Sequence, residues 1–266
     1  MSLKSFIVKT LRNRGVYLEP ETPEAQVRAL IKSLHPRKIE KELVRLGPEK
    51  DGGYLVPNDL DGITACFSPG VGRMSEFEVD CLERNMKLYL ADKSVDGPGT
   101  AHKDLHFIKK FVGCTNNDDF MTMDQWVADT IGTNSDDMML QMDIEGYEYM
   151  TLLNISDKLL HQFRVIVIEF HSLHKLWNRE FFKIANASFE KLLQNHYCVH
   201  IHPNNITKPI VHHGIEVPIA AEFTFIRKDR VQKADYATQF PHKLDRDNTP
   251  NPSVVLPADW YAANRG

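Results

Sequence analysis

The chain has 266 residues, 42% hydrophobic and 26% charged, with a formal net charge of −4. That length suits one sizeable α/β domain rather than two, and the composition is that of an ordinary soluble globular protein. No stretch is densely basic, which argues against nucleic acid as a partner, and nothing approaches the roughly 20 apolar residues of a transmembrane segment.

The first stretch, "MSLKSFIVKTLRNRG", has too short an apolar core for a signal peptide and is interrupted by Lys4 and Lys9. Thr22-Pro23-Glu24 reads as a helix start: a capping hydroxyl, proline at the first helical position, then an acid at the positive end of the dipole. The helix carries Val27, Leu30, Ile31 and Leu34 on one face and stops at His35-Pro36. In "RLGPEKDGGYLVP", Asp51-Gly52-Gly53 is a tight turn. It either packs the N-terminal helix onto the sheet or forms a lid in which Arg45, Lys50, Asp51 and Tyr54 meet substrate.

From about residue 60 short apolar runs follow at 63–67, 87–91, 105–112, 138–142, 164–170, 197–202 and 221–227. Segments with helical spacing, such as 76–85 and 123–130, lie between the first five. Strands alternating with helices predict a mostly parallel sheet with helices on both faces. The runs 210–217 and 221–228 are close neighbours and are predicted to pair as an antiparallel C-terminal hairpin. The proline- and asparagine-rich end reads as an extended segment anchored by Trp260 and Tyr261. The expected organisation is an N-terminal helical extension with a candidate lid (1–58), a core (59–230) and a C-terminal segment packed on it (231–266). The cysteines Cys66, Cys81, Cys114 and Cys198 form no CxxC pair; Cys66 and Cys198 read as buried free thiols, and a cytoplasmic location is expected.

Candidate site residues gather at the ends of the predicted strands. After the first run, Ser68, Gly70 and Gly72 form a turn that lets backbone approach a ligand closely. Asp92 ends the second run about 20 residues on, where a nucleoside-binding sheet places an acid for ribose hydroxyls. The turn continues Arg73-Met74-Ser75-Glu76 without a third glycine and with an acid near the helix start. That suits a ligand lacking phosphates and bearing a positive centre, such as S-adenosylmethionine, better than NAD.

The fourth run ends in "DIEGYE": Asp143 is placed to face a site, while Glu145 and Glu148 fall in the turn and the first helical positions. Helix-dipole stabilisation, about 0.3–1 kcal/mol each, accounts for Glu148 most simply. The fifth run ends with Glu169 and His171; a glutamate after four apolar residues needs a partner or a polar pocket. The sixth gives His200 and His202 on one face, with Asn204 and Asn205 at its end. Tyr54 and Trp177 are aromatics able to stack on a sugar ring, although single aromatics more often belong to a core.

The stretches "DGGYLVP", "FSPGVGRMSEFE", "LYLADKSV", "LQMDIEGYEYMTL", "VIVIEFHSL", "HIHPNN" and "EFTFIRKD" together resemble the FkbM-type S-adenosylmethionine-dependent methyltransferases, over about residues 43–260. The resemblance implies a Rossmann-like methyltransferase sheet with an antiparallel end. It implies Ser68, Gly70 and Gly72 around the methionine part of the cofactor, Asp92 on the ribose, and Asp143 where methyl donor and acceptor meet. Ser68 stands where such enzymes commonly carry an acid, so Glu76 or Asp143 is expected to meet the cofactor's amino group. The acceptor implied is a hydroxyl, of a sugar in a glycan or glycolipid first and of a small molecule second; Arg45, Asp51, Tyr54, Glu145, Asn204 and Asn205 are the expected substrate contacts.

A protonated hydroxyl is a poor nucleophile, so a base is needed. The candidates are His171, His202 and Asp143, and a histidine is favoured because its unperturbed pKa of about 6.5 lies near working pH. A divalent metal, Mg²⁺ or Mn²⁺ on Asp143, Glu169 and His171, is the alternative activator. An NAD(P)-dependent oxidoreductase on a similar sheet and a non-catalytic cofactor-binding module are the rival readings. The acceptor's identity and the oligomeric state are not encoded in any pattern of the chain.

Overall fold

A computed structural model describes residues 3–72, 76–98, 101–132 and 136–262. Its central sheet has seven strands: β1 (Ala65–Pro69), β2 (Lys87–Ala91), β3 (Leu105–Ile108), β4 (Met138–Met142), β5 (Phe163–Phe170), β6 (His196–Pro203) and β7 (Ala221–Arg227). Their spatial order is β6-β7-β5-β4-β1-β2-β3. Strands β1 to β5 pair in parallel, and β7 runs antiparallel to both neighbours, β5 and β6. The helices are α1 (Leu3–Asn13), α2 (Glu24–Ser33), α3 (Glu76–Glu83), α4 (Met123–Ile131), α5 (Glu148–Asn154), α6 (Asp157–Gln162) and α7 (Arg179–Asn195).

Burial explains the choice of strands. Every residue of β1, β4, β5 and β7 is buried, as expected for strands covered on both faces. Alternation then sorts their side chains. Phe67, Leu140, Ile166, Ile168, Phe223 and Phe225 join one core with Val27, Leu30 and Ile31 of α2, Trp126 and Val127 of α4, and Ala185, Phe189 and Leu192 of α7. Cys66, Leu88, Leu90, Met139, Val165 and Val167 form the other core with Phe77 and Cys81 of α3.

Two differences from the sequence expectation have clear physical causes. The second core is closed by α3 together with an antiparallel hairpin, Leu43–Leu46 against Tyr54–Pro57, rather than by helices alone. All four residues of Tyr54–Pro57 are buried, and the Thr224 hydroxyl on β7 donates to the Leu55 carbonyl at 2.6 Å. Residues 210–217 do not pair with β7. They close on themselves as Ile210–His212 against Ile215–Val217, because a fully buried β7 needs a strand on each side. The run 105–112 also divides: its first half is β3, while Phe111–Gly113 pairs in parallel with Phe120–Thr122.

At the amino end of β4, Asp137 joins two strands. Its Oδ2 accepts from Arg164 Nε at 2.7 Å and its Oδ1 from Arg227 Nη1 at 2.6 Å. Both guanidiniums are nearly buried; Arg227 also pairs with Asp229 at 2.7 Å, while Arg164 takes its counter-charge from Asp137. Asp137→Ala is expected to cost about 3 kcal/mol of stability, read as a drop in the denaturation midpoint by calorimetry. A midpoint unchanged from wild type would mean that the two arginines are satisfied without it.

Candidate active site

In an open α/β sheet the ligand crevice lies beyond the carboxyl ends of the strands, where neighbouring connections leave in opposite directions. Here that point is between β1 and β4. The chain leaves β1 toward β2 through Pro69-Gly70-Val71-Gly72, and leaves β4 toward β5 through Asp143. Asp143 N donates to Pro69 O at 3.2 Å and Gly70 N to Ala91 O at 2.9 Å, which ties the turn to both flanking strands. Gly70 has φ +86°, and a Cβ there would stand 1.5 Å from the Asp143 carbonyl oxygen. Gly72, at φ +58°, has no atom within 4 Å of where its Cβ would be; the absent side chain leaves open space.

That space belongs to a cavity of about 440 Å³ lined by Gly70, Gly72, Asp92, Asp143 and Glu145, with Phe111, Phe120 and Tyr147 as an aromatic wall. Asp92 closes one end. Its Oδ1 accepts from the Ser94 amide and hydroxyl, each at 2.7 Å, and its Oδ2 from the Gly72 amide at 3.2 Å. A carboxylate offers about four acceptor positions, so Oδ2 retains one. Arg73, Met74 and Ser75, which continue the turn, lie outside the described residues.

Ser68 does not line this cavity. It is fully buried, with Oγ 2.6 Å from both Glu78 Oε1 and Gln141 Oε1. One hydroxyl proton cannot serve two acceptors. Burial pushes the Glu78 carboxyl up to about 6, against the opposing pull of Ser68, so below about pH 6 a protonated Glu78 completes the chain. Gln141 passes it on, donating to the Tyr54 hydroxyl at 3.1 Å. Glu76 is exposed. The acid beside Ser68 is therefore Glu78, which the sequence reading missed; its signal was a glutamate set three residues before Cys81 on the apolar side of α3.

The D-I-E-G-Y-E segment is organised around a histidine. Glu145 and Gly146 take successive left-handed conformations, φ +54° and +103°, which turns the chain sharply into α5. The fully buried Glu148 then accepts through Oε1 from the amides of Ile144 at 3.3 Å and Gly146 at 2.9 Å. The same oxygen lies 3.0 Å from His171 Nδ1. The adjacent Tyr149 donates its hydroxyl to the His171 carbonyl at 2.8 Å. Glu148 thus does more than cap its helix: it fixes a proton on Nδ1 and aims Nε2 outward.

His171 Nε2 faces Glu145 Oε2 at 3.5 Å, Asp143 Oδ1 at 3.9 Å and Glu169 Oε1 at 4.0 Å. Asp143 Oδ1 is buried without a hydrogen-bond partner. Burial, then the Glu169 charge, raises the Asp143 carboxyl well above its usual range, and burial raises Glu169 as well. Burial pulls the imidazole the other way. The hydrogen bond and charge of Glu148, with Glu169 and Asp143, outweigh it and push His171 up to about 9. His171 is a cation at neutral pH in this setting, not a base poised near 6.5.

A polar row extends from there. Across the strands His202 pairs with Glu222, and Glu222 with Glu169. Burial lifts Glu222 to about 8, with His202 opposing. Asn204 Nδ2 donates to Glu169 at 2.8 Å, and Asn248 Nδ2 reaches both Glu222 at 2.7 Å and Asp51 at 3.0 Å. Asp245 accepts from His200 Nε2 at 2.8 Å and lies 3.8 Å from His202 Nδ1.

Other predicted contacts fall elsewhere. Tyr54 is buried, its ring edge-on to Phe77, so it offers a hydroxyl and no stacking face. Arg45 is spent largely on the hairpin turn, donating to Pro48 O and Lys50 O at 2.8 Å each. Asn205 is buried and holds the C-terminal segment through Thr249 and Asn251. Trp177 packs on His212 and His213, away from the row. Glu222, Asp245 and Asn248 were not foreseen. Glu222 had a signal, as a charge inside the apolar alternation "AAEFTFI"; the other two depend on where the C-terminal segment folds back.

A strand order with an antiparallel β7 between β5 and β6, and a glycine-turn cavity at the β1–β4 switch point, is the arrangement of a Rossmann-like methyltransferase. Residues 34–213 match the family described as "Methyltransferase FkbM domain". The match spans more than half of the chain, and the protein belongs to that family of S-adenosylmethionine-dependent methyltransferases. No curated protein matches it.

The buried acid of α3 makes stability depend on pH with a definite sign. Glu78 binds its proton more tightly folded, at about 6, than its ordinary 4.5. Its contribution is therefore full below about pH 4.5 and is lost as pH rises through about 6, by about 2 kcal/mol. Glu78→Gln should remove that part of the pH dependence and raise the denaturation midpoint at pH 8 by about 5 °C; identical wild-type and variant profiles would show that the carboxyl ionises without cost.

Proposed function

We propose that this methyltransferase acts on a hydroxyl oxygen, of a sugar in a glycan or glycolipid. The observation that carries the reading is the place of Asp143. Its unpartnered, buried Oδ1 lies where the glycine-turn cavity meets the row of Glu169, Asn204, Glu222 and His202. Carboxylates and amides in alternation suit neighbouring sugar hydroxyls, each of which donates one hydrogen bond and accepts others.

The cavity fits the cofactor. Gly72 lines it at a positive φ that disfavours any side chain, and Asp92 keeps one acceptor position for a ribose hydroxyl. Gly70, Gly72 and Asp92 would hold S-adenosylmethionine, which supplies a methyl group on a sulfonium centre. Asp143 takes the acceptor's proton. Burial and the Glu169 charge raise its proton affinity, the direction that a proton acceptor needs. His171, locked by Glu148, stands beside it as a fixed cation that orients the carboxylate. The hairpin turn, with Arg45, Lys50 and Asp51, roofs the acceptor side, and the four free thiols support a cytoplasmic setting. No helix among the described residues is long and apolar enough to cross a membrane.

With Asp143→Asn, turnover at saturating cofactor should fall about 10²–10⁴-fold while calorimetric binding of S-adenosylhomocysteine persists. Full activity in that variant would remove Asp143 from the reaction, and cofactor binding without turnover on any acceptor would favour a binding module. Products are to be read by mass spectrometry on glycan acceptors; methyl groups found on nitrogen or carboxyl oxygen would overturn the hydroxyl assignment.

One observation favours a second reading, in which a divalent cation activates the acceptor. Ligand atoms of Asp143, Glu169 and His171 all lie within 4.8 Å of one another. A histidine whose Nδ1 hydrogen goes to a buried carboxylate, with Nε2 presented among carboxylate oxygens, is held as metal-ligating histidines usually are. The oxygen-rich donor set suits Mg²⁺ or Mn²⁺. On this reading EDTA abolishes methyl transfer and re-added Mg²⁺ or Mn²⁺ restores it; activity indifferent to EDTA leaves Asp143 as the base acting alone.

A further inference from the structure

The segment before α2 has a design that the catalytic site does not use. In α1, Phe6, Ile7 and Leu11 recur at helical spacing on one side, while Lys9 and Arg12 lie opposite. The helix ends in a glycine-terminated motif: Val16 N donates to Leu11 O and Gly15 N to Arg12 O, each at 2.9 Å, with Gly15 at φ +76°. This turn brings Val16-Tyr17-Leu18 back beside the end of the helix. Among the described residues, most of the apolar side is left uncovered. Phe6 is 61% exposed, Ile7 47%, Tyr17 73% and Leu18 55%. So many large apolar groups exposed together on one short segment mark an interaction surface rather than scattered surface residues.

Charge identifies what covers it. Lys4, Lys9, Arg12 and Arg14 fall within this segment and no acid precedes Glu19, although the chain as a whole carries −4. Two copies meeting face to face through α1 would bring these cations together. An amphipathic helix with a cationic side and exposed aromatic and aliphatic residues instead matches the interface of an anionic bilayer, with apolar groups at the acyl boundary and cations among the headgroups. We infer that α1 and residues 16–18 dock the protein on an anionic lipid surface. The occupant is the bilayer itself, reached reversibly from the aqueous side, and the inference stands independently of the acceptor assigned to the active site.

The test is co-sedimentation of the full-length protein with vesicles. Binding is expected to phosphatidylglycerol-rich vesicles and not to pure phosphatidylcholine. It should fall at least about tenfold between 0.1 M and 1 M salt, as the screening length contracts from about 10 Å to about 3 Å. The double variant Phe6→Ser/Ile7→Ser and the charge variant Lys9→Glu/Arg12→Glu should each lose at least about tenfold of the bound fraction, while binding S-adenosylhomocysteine as wild type does. Helical circular dichroism should rise on adding the anionic vesicles. Absence of binding to anionic vesicles, or equal binding to neutral ones, would overturn the inference. So would concentration-dependent dimerisation abolished by Phe6→Ser/Ile7→Ser, which would make the surface a contact between copies.

Discussion

The architecture of the site depends on one close approach, that of the Gly70 backbone to the Asp143 carbonyl. A Cβ at Gly70 would sit 1.5 Å from that oxygen, so only glycine lets β1 and β4 stay together to their last residues before diverging. Because they stay together, Asp143 N reaches Pro69 O and the Asp143 side chain emerges at the mouth of the cavity. A wider turn at Gly70 would move the acid off the line between the glycine turn and β5. The position of the candidate base is thus set by backbone packing and not by a flexible loop, which suits a reaction that needs an oxygen held within about 3–3.5 Å of a methyl carbon.

The second constraint is electrostatic. Five acids, Asp143, Glu148, Glu169, Glu222 and Glu78, lie at or just below the carboxyl edge of the sheet, and Glu148, Glu169, Glu222 and Glu78 are buried. Such a set cannot all ionise in a poorly solvated place without cations or shared protons. The protein supplies few cations there: His171 within the first group and His202 beside Glu222. Burial first, and the neighbouring carboxylates second, raise the proton affinities of Asp143, Glu169 and Glu222. A cluster left short of positive charge is ready to take up protons from an acceptor or to hold a divalent cation, and both readings of the chemistry draw on the same deficit.

How much of this was legible in the sequence depended on whether a feature was local. The strands were readable because each is a short apolar run, and β2 and β4 keep the predicted limits. Asp143, Glu169 and His171 could be proposed together because each ends a strand, and strand ends in a parallel sheet share one edge. The partners of these residues were harder to see. Glu148 looked like a helix-dipole acid, since its bond to His171 spans 23 residues and crosses from α5 to β5. Ser68 looked like a lost acid, because nothing in the spacing says that Glu78 turns inward and Glu76 outward until Phe77 and Cys81 fix the buried side of α3. Whether Tyr54 and Trp177 belong to the core or stack on a ligand stays open in the sequence because exposure is a property of the packed chain; both are buried, and the hairpin that buries Tyr54 is itself held by a contact from Thr224, 169 residues away.

The C-terminal segment carries this argument one step further. As sequence, "PHKLDRDNTPNP" has no periodicity and suggests only an extended strap. Folded, it delivers Asp245 to His200 and His202 and Asn248 to Glu222 and Asp51, while the buried Asn205 clamps it through Thr249 and Asn251. The two histidines hold the Asp245 carboxyl well below its usual range although burial works against them. Asp245 therefore stays ionised where Glu222, with the weaker support of Asn248 and His202, does not. The strap decides which acids of the row keep their charge. The row therefore carries a pattern of charged and neutral carboxyls written by residues that lie more than twenty positions beyond the strand they serve.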